Sequence, residues 1–216
     1  MYARRPYYGL RGLFVTIEGI DGCGKTTQAR LLHKRLLRDG IDTVLTHEPT
    51  DGQIGKLIQK LLKGQGEVPA KLLALLFAAD RYDHVEKLIR PALQSGKIVI
   101  CDRYYHSSIA YQSSMGVDEA YVKCINDFAV KPDLAILLRI SAKTATARVT
   151  KRKHVQYTEQ ETLQTRVQQK YEQLCREGEL IPIDAEGNRA DVQRKIWALV
   201  SEKLSERHVH YERSAP

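Results

Sequence analysis

The fold is decided by one stretch near the beginning of the chain, LFVTIEGIDGCGKTT at residues 13–27. Its first part, Leu13–Glu18, is a short apolar run rich in residues that favour β-strands. A glycine follows the run, and the residues of Gly24–Arg38 have the apolar spacing of an amphipathic helix. The stretch therefore predicts a buried strand, a glycine-rich turn and a helix in direct succession.

The turn between this strand and this helix has the pattern G-x-x-x-x-G-K-T. Glycines allow consecutive backbone N–H groups to point at one anion, and the amino terminus of the helix adds favourable dipole charge. Lys25 is expected to reach the β- and γ-phosphates of ATP, and the Thr26 hydroxyl to bind Mg²⁺. A chance glycine-rich turn is the alternative, which the flanking strand and helix disfavour. The predicted ATP site comprises Gly19, Ile20, Asp21, Gly22, Cys23, Gly24, Lys25, Thr26 and Thr27.

Apolar runs and helical patterns alternate along the rest of the chain. Further strands are predicted at Thr43–His47, Lys97–Cys101, Leu134–Ile140 and Leu180–Asp184. Further helices are predicted at Gln53–Lys63, Ala70–Gln94, Asp118–Ala129, Ala142–Lys151, Glu159–Glu177 and Asp191–Leu204, and Pro91 is expected to kink or end its helix. This alternation predicts an α/β fold, a three-layer, doubly wound, parallel five-stranded sheet of the P-loop NTP hydrolase or kinase type, with ligands at the carboxyl ends of the strands.

Length and composition predict one soluble domain. The chain has 216 residues, of which 43% are hydrophobic, and no run approaches the roughly 20 apolar residues that cross a bilayer. We expect a kinase domain at residues 13–204, an N-terminal extension at 1–12 and a flexible tail at 205–216. The extension shows no apolar block of a secretory signal, and the four scattered cysteines predict reduced thiols, so a cytoplasmic setting is expected. The net charge of +8 suits either nucleic acid or several bound phosphates.

A second polar site is predicted where the third strand ends. The sequence KIVICDRY at residues 97–104 places Asp102 at the end of an apolar run, the position of a carboxylate that organises Mg²⁺ in such folds. The neighbouring Arg103 could bind a second phosphate, because a guanidinium contacts phosphate oxygens bidentately. A surface salt bridge at the strand end is the alternative. An acid beside a base at this edge favours phosphoryl transfer.

From Asp102 the chain reads DRYYHSSIAYQ, residues 102–112, and this resembles the D-R-Y-x-x-S-x-x-A-Y-Q signature of the thymidylate kinase family. Further matches are EGIDGCGKTTQ at 18–28, Glu48-Pro49, F-x-x-x-R at 77–81 and PDL at 132–134, and the resemblance extends from about Leu13 to Val200. It implies transfer of the γ-phosphoryl group of ATP to dTMP with Mg²⁺, and a homodimer that binds neither nucleic acid nor membrane.

The resemblance also implies roles for single residues. Phe77 would stack on thymine and Arg81 would bond a base carbonyl, Arg103 would hold the dTMP phosphate, and Tyr111 would crowd the sugar 2′ position. Taken alone, Phe77 and Tyr111 would be read as packing and Arg81 as a solvated helix charge. The implied dTMP site comprises Asp21 at the sugar 3′-hydroxyl, Ser107 at the base edge, and Glu48, Phe77, Arg81, Arg103, Tyr111 and Gln112.

A basic segment, RVTKRKH at residues 148–154, corresponds to the lid of related kinases, expected at about 148–157. The phosphate loop contains no arginine before its lysine, so Arg148 and Arg152 are expected to supply positive charge to the transferred group. Ala185 lies where the family's backbone clasps adenine. The expected catalytic residues are Asp21, Lys25, Asp102, Arg103, Arg148 and Arg152.

Departures from the family pattern keep other readings open. Many bacterial members have R-E-P-G-G-T where this chain has His47-Glu48-Pro49-Thr50, so a kinase for UMP, CMP or dUMP is the closest alternative. A GTPase is disfavoured because the chain has no N-K-x-D motif. A nucleotide-binding regulatory protein or a nucleic-acid-binding protein is the non-enzymatic alternative.

Overall fold

The structure is a computed structural model that describes residues 12–64, 66–141, 144, 145, 148 and 158–214. Its strands are β1 (Phe14–Glu18), β2 (Thr43–His47), β3 (Ile98–Asp102), β4 (Leu134–Arg139) and β5 (Ile181–Asp184). Its helices are α1 (Lys25–Arg38), α2 (Gln53–Lys63), α3 (Ala70–His84), α4 (Arg90–Gln94), α5 (Tyr105–Ser114), α6 (Glu119–Cys124), α7 (Thr158–Arg176) and α8 (Arg189–Ser214), with a π-helical turn at Val85–Ile89.

The five strands form one parallel sheet in the order β2-β3-β1-β4-β5. Alternate residues of a strand point to opposite faces, and the two faces pack into separate apolar clusters. Val15 and Ile100 belong to the larger cluster, which α1, α7 and α8 cover. Phe14 and Val99 belong to the smaller cluster, which contains residues of the π-helical turn and α4. Burial on both faces confirms the predicted three-layer, doubly wound α/β fold.

The register brings the carboxyl ends of three strands together. Ile17 of β1 pairs with Asp102 of β3, and His47 of β2 also pairs with Asp102. The segments that follow β1, β2 and β3 therefore begin side by side at one edge of the sheet. This edge is where the phosphate loop, Glu48 and Arg103 are found.

Several helix boundaries differ from the prediction. The helix predicted over Ala70–Gln94 contains a π-helical turn at Val85–Ile89 directly before Arg90-Pro91. Proline lacks the N–H group of an α-helical hydrogen bond, and irregularities in long helices occur at prolines and π-bulges. Helix α6 ends at Cys124 rather than Ala129, and the residues after it form turns. Helix α5 was not predicted, because Tyr105–Ser114 has little apolar periodicity.

At the carboxyl end, α8 continues to Ser214 rather than ending at Leu204, so the predicted tail at 205–216 is helical over most of its length. The segment contains neither glycine nor proline before its last residue, and Lys203 forms an ion pair with Glu206 one turn away. Most of the helix predicted at Ala142–Lys151, and the extension at 1–11, lie outside the described residues. No helix among the described residues is long and apolar enough to cross a membrane.

Candidate active site

The predicted phosphate loop connects β1 to α1. Gly19 has φ 141° and Gly24 has φ 102°, conformations that side chains with a Cβ rarely adopt. A Cβ at Gly19 would also lie 2.9 Å from the carbonyl oxygen of Leu138. Lys25 is buried, and its Nζ donates hydrogen bonds of 2.9 Å to the carbonyls of Gly19 and Ile20. The lysine therefore lies folded over the loop, with its charge beside the backbone of the turn.

Two oxygen-bearing side chains meet beside this loop. The Thr26 hydroxyl, at the start of α1, donates a 2.5 Å hydrogen bond to Oδ2 of Asp102. The other carboxylate oxygen, Oδ1 of Asp102, is buried and has no hydrogen-bond partner among the residues that the structure describes. A hydroxyl and a carboxylate with an unused oxygen are the kind of ligand set that hard divalent cations such as Mg²⁺ prefer. Thr26 and Asp102 therefore have the chemistry that the predicted Mg²⁺ site requires.

Arg103 follows β3 and reaches across to the phosphate loop. Its Nη2 bonds Oδ1 of Asp21 and lies 3.4 Å from the hydroxyl of Tyr111, and its Nη1 donates to Ser107 Oγ at 3.2 Å. Burial alone would raise the pKa of Asp21, but the positive charges of Arg103 and Lys25 outweigh it and lower that pKa. Three predicted site residues, from the phosphate loop and α5, therefore meet around the guanidinium of a fourth, Arg103.

Arg81 occupies a different position from the one that its sequence alone would suggest. It is 1% exposed, and its guanidinium pairs with Glu48 at 2.7 Å, donates to Ser108 Oγ at 3.1 Å and bonds Oδ1 of Asn126. The other oxygen of Glu48 contacts Nδ1 of His84 at 3.0 Å. The interpretation of Arg81 as a solvated charge on a helix is therefore wrong. A base carbonyl that bonded Arg81 would have to share its guanidinium with Glu48, Ser108 and Asn126.

The remaining residues of the implied dTMP site differ in accessibility. Phe77 is half-buried and belongs to neither apolar cluster, so its ring is not part of the core. Tyr111 is also half-buried, and its ring lies 5.1 Å from the Arg103 guanidinium. Gln112 is buried, so a ligand could reach it only if its neighbours moved.

On the donor side, two predicted residues contact each other. Nη2 of Arg148 lies 3.5 Å from the carbonyl oxygen of Ala185, which follows β5. The backbone N–H of Ala185 donates to the carbonyl of Arg139 on β4. Arg152 and most of the lid predicted at 148–157 lie outside the described residues.

Sequence reasoning did not assign four residues that support this site. They are Glu18, Ser108, Asn126 and Tyr171, and all are buried. Glu18 and Ser108 lie next to residues of the recognised motifs, so their positions in the sequence pointed to the site. Asn126 lies in the turn that follows α6, and Tyr171 lies in α7. Both are far from the motifs in the sequence, and only folding brings them to the site.

Two groups at the edge of one sheet have the chemistry to hold an anion. One is formed by the glycine-rich loop and Lys25, the other by Arg103, and the oxygens of Thr26 and Asp102 lie near both. This fold and this arrangement define a P-loop phosphotransferase of the kind that transfers phosphoryl groups between nucleotides.

Comparison with known proteins narrows this class. The family model described as thymidylate kinase matches residues 17–196. A probable thymidylate kinase of Thermococcus gammatolerans is 43% identical over 206 residues, which cover 89% of this chain and 98% of that protein. The thymidylate kinase of Halothermothrix orenii is 41% identical over 198 residues, which cover 87% of this chain and 96% of that protein. The chain belongs to the thymidylate kinase family.

Proposed function

We propose that this protein transfers the γ-phosphoryl group of ATP to dTMP, giving dTDP and ADP. The observation that carries the proposal is the position of Arg103, whose guanidinium extends from the end of β3 to Asp21 in the phosphate loop. A phosphate bound by Arg103 would therefore face a nucleotide bound by the loop. Family membership and the names of the relatives support dTMP as the acceptor.

The transfer itself requires alignment and charge neutralisation more than covalent chemistry. The loop amides and Lys25 would hold the β- and γ-phosphates of ATP, and Arg103 would hold the acceptor phosphate, whose oxygen attacks the γ-phosphorus. Asp21 shares Arg103 and would bond the sugar 3′-hydroxyl, orienting the acceptor. Arg148 and Arg152, in a lid at about 148–157 of a domain spanning 13–204, would close over the transferred group and exclude water.

Thr26 and Asp102 would hold Mg²⁺. When bound, the ion neutralises charge on the phosphates of ATP and orients them. The unused buried oxygen Oδ1 of Asp102 supports this assignment, because a buried carboxylate oxygen without a partner is costly.

Base and sugar selection would come from α3 and α5. The half-buried ring of Phe77 would stack on thymine, and Arg81, on the same face of α3, would bond a base carbonyl. Tyr111 would lie against the sugar and disfavour a ribose 2′-hydroxyl by its bulk. Glu48, Ser107 and Gln112 would complete the pocket: Glu48 holds Arg81, and Ser107 holds Arg103.

The test is a coupled assay of ADP release with ATP, Mg²⁺ and one nucleoside monophosphate at a time. We expect dTMP to have the highest kcat/KM, with dUMP, UMP and CMP turned over at least about tenfold less efficiently. Turnover of UMP or CMP at least as efficient as that of dTMP would reject the acceptor and keep the kinase class. Absence of ADP release with every acceptor would reject the kinase function.

We also propose a homodimer formed through α2 and α3. These helices expose a group of large apolar side chains, Leu57, Leu62, Leu72, Leu75 and Tyr82. Several exposed large apolar side chains on two neighbouring helices are a feature of protein interfaces. Leu75→Asp should convert the dimer to a monomer in light scattering after gel filtration. Leu37→Asp, at a similarly exposed leucine on α1, is the matched control and should leave the mass unchanged.

We place the reaction in the cytoplasm. All four cysteines are free thiols, two of them buried, which is usual for proteins of reducing compartments. Antibody detection after cell fractionation tests this, and recovery in a membrane or extracellular fraction would contradict it.

A further inference from the structure

One buried acid at the site has no role in the proposed chemistry. Glu18 is the last residue of β1, directly before the phosphate loop, and its side chain is fully buried. Burial raises the pKa of this carboxyl, although His106, Ser107 and Arg103 oppose the shift. A carboxylate is costly to bury unless several donors contact it. Its contacts therefore indicate what it does.

Both oxygens of Glu18 bind groups that adjoin Arg103. Oε1 accepts a 2.8 Å hydrogen bond from the backbone N–H of Tyr104, the residue that follows Arg103. Oε2 accepts a 2.6 Å hydrogen bond from the Ser107 hydroxyl, and this hydroxyl in turn accepts from Nη1 of Arg103 at 3.2 Å. The carboxylate of Glu18 thus contacts both the backbone N–H of Tyr104, which follows Arg103, and the Ser107 hydroxyl, which accepts a hydrogen bond from the Arg103 guanidinium.

The backbone at Arg103 needs such support. Arg103 has φ 72°, the only positive φ of a residue other than glycine in the part of the chain that the structure describes. Residues with a Cβ are strained in this region, and the conformation persists only where the surroundings fix it. The N–H of Arg103 donates to the carbonyl of Ile17 at 3.0 Å, and the next N–H donates to Glu18. Consecutive residues of β1 therefore fix the amides on both sides of the strained residue.

A tyrosine of α7 completes this cluster. The Tyr171 hydroxyl lies 2.9 Å from Ser107 Oγ and 3.4 Å from Oε2 of Glu18. Burial raises the pKa of Tyr171, so its phenol keeps the proton that it shares with these oxygens. His106 is also buried, with Nδ1 3.9 Å from Oε1 of Glu18, and packs beside the carboxylate.

We propose that Glu18 is a positioning residue for Arg103: its carboxylate holds the Tyr104 amide and the Ser107 hydroxyl so that the guanidinium faces the acceptor phosphate. Glu18 itself is fully buried and would contact neither nucleotide. This role rests on the proposed function, because it assumes that Arg103 binds the phosphate of a nucleoside monophosphate.

The geometry predicts a specific kinetic signature. Glu18→Ala removes both acceptors, so kcat/KM for dTMP should fall by about 100-fold or more, as for loss of other oriented polar contacts at reacting centres. KM for ATP should stay within about twofold, because the loop amides and Lys25 do not depend on the carboxylate. Glu18→Gln keeps an acceptor for the Tyr104 amide and a polar partner for Ser107. Its kcat/KM for dTMP should therefore lie within about tenfold of the wild-type value.

The experiment is steady-state kinetics of the full chain with ATP and dTMP varied separately, together with thermal unfolding of each variant. Glu86→Ala, which removes a surface carboxylate paired with Arg90 at 3.1 Å, is the control and should change kcat/KM for dTMP by less than about twofold. If Glu18→Ala does not fold, Glu18→Gln and Ser107→Ala replace it, and Ser107→Ala should then show the larger loss toward dTMP.

An unchanged kcat/KM for dTMP in folded Glu18→Ala would overturn the positioning role. A rise in KM for ATP as large as the fall in kcat/KM for dTMP would also overturn it, because it would indicate a general structural role. Failure of Glu18→Gln to exceed Glu18→Ala would also overturn it. Failure of the proposed function would look different. In that case the wild-type protein would be inactive toward every nucleoside monophosphate, and both the proposed function and the positioning role would be overturned.

Discussion

Replacing Arg81 by alanine should destabilise the protein strongly, because it leaves the charge of Glu48 buried without its main partner. Arg81 is 1% exposed and donates to Glu48 through Nε at 2.9 Å and Nη2 at 2.7 Å. Removing one partner of a buried ion pair costs about 3–5 kcal/mol. Since 1 kcal/mol shifts the melting temperature of a protein of this size by about 2–4 °C, we expect a decrease of about 6–20 °C.

The assay is urea unfolding followed by circular dichroism, with thermal unfolding as a second measurement. Lys87→Ala is the control, because Lys87 pairs with Asp83 at 2.6 Å on the surface and should cost no more than about 1 kcal/mol. A double variant, Arg81→Met with Glu48→Leu, should be more stable than Arg81→Ala, because neither charge remains buried. A loss below about 1.5 kcal/mol for Arg81→Ala, with unchanged cooperativity, would refute the reasoning.

Three further predictions concern activity and pH. Asp102→Asn should lower kcat by about 100-fold or more and raise the Mg²⁺ concentration for half-maximal activity, measured by titrating Mg²⁺ at saturating ATP. Arg152→Ala should lower kcat by more than about tenfold while the Kd for dTMP in calorimetry changes little, and turnover within about twofold of wild type would contradict the lid assignment. Relative to Glu18→Gln, the wild type should lose free energy of unfolding as the pH rises above 4.5, because burial raises the folded-state pKa of Glu18 above that ordinary value. Urea unfolding of both proteins at rising pH measures this difference, and a constant difference would contradict it.

The sheet and the phosphate loop were predictable because their signals are local. Each strand is a short apolar run, and the bounds of β2 and α2 agree with the prediction at both ends. The glycine-rich turn follows β1 directly and α1 begins at Lys25, so sequence order alone places Lys25 and Thr26 at the edge of the sheet. Helix α5 carries no comparable signal, since its residues face the core, the site and its neighbours in turn.

The support of the site was not predictable, because it depends on contacts between residues far apart in the chain. Arg81 has the sequence context of a surface residue, and only the approach of Glu48 and Asn126 explains its burial. Glu18 similarly has its partners on α5 and α7. Motifs identify the groups that contact ligands, whereas the polar residues that orient those groups emerge from packing.

The pairing of β1 with β3 limits how this protein can vary. Because Ile17 lies opposite Asp102, the loop that follows β1 and the Asp102-Arg103 pair begin about one interstrand spacing, roughly 4.8 Å, apart. Inserting or deleting one residue within β3 would turn Asp102 and Arg103 to the opposite faces of the sheet. Loops elsewhere in the chain can change length without moving the phosphate loop away from Arg103. The number of residues in β3 cannot change by one without separating the Thr26 hydroxyl from the carboxylate of Asp102.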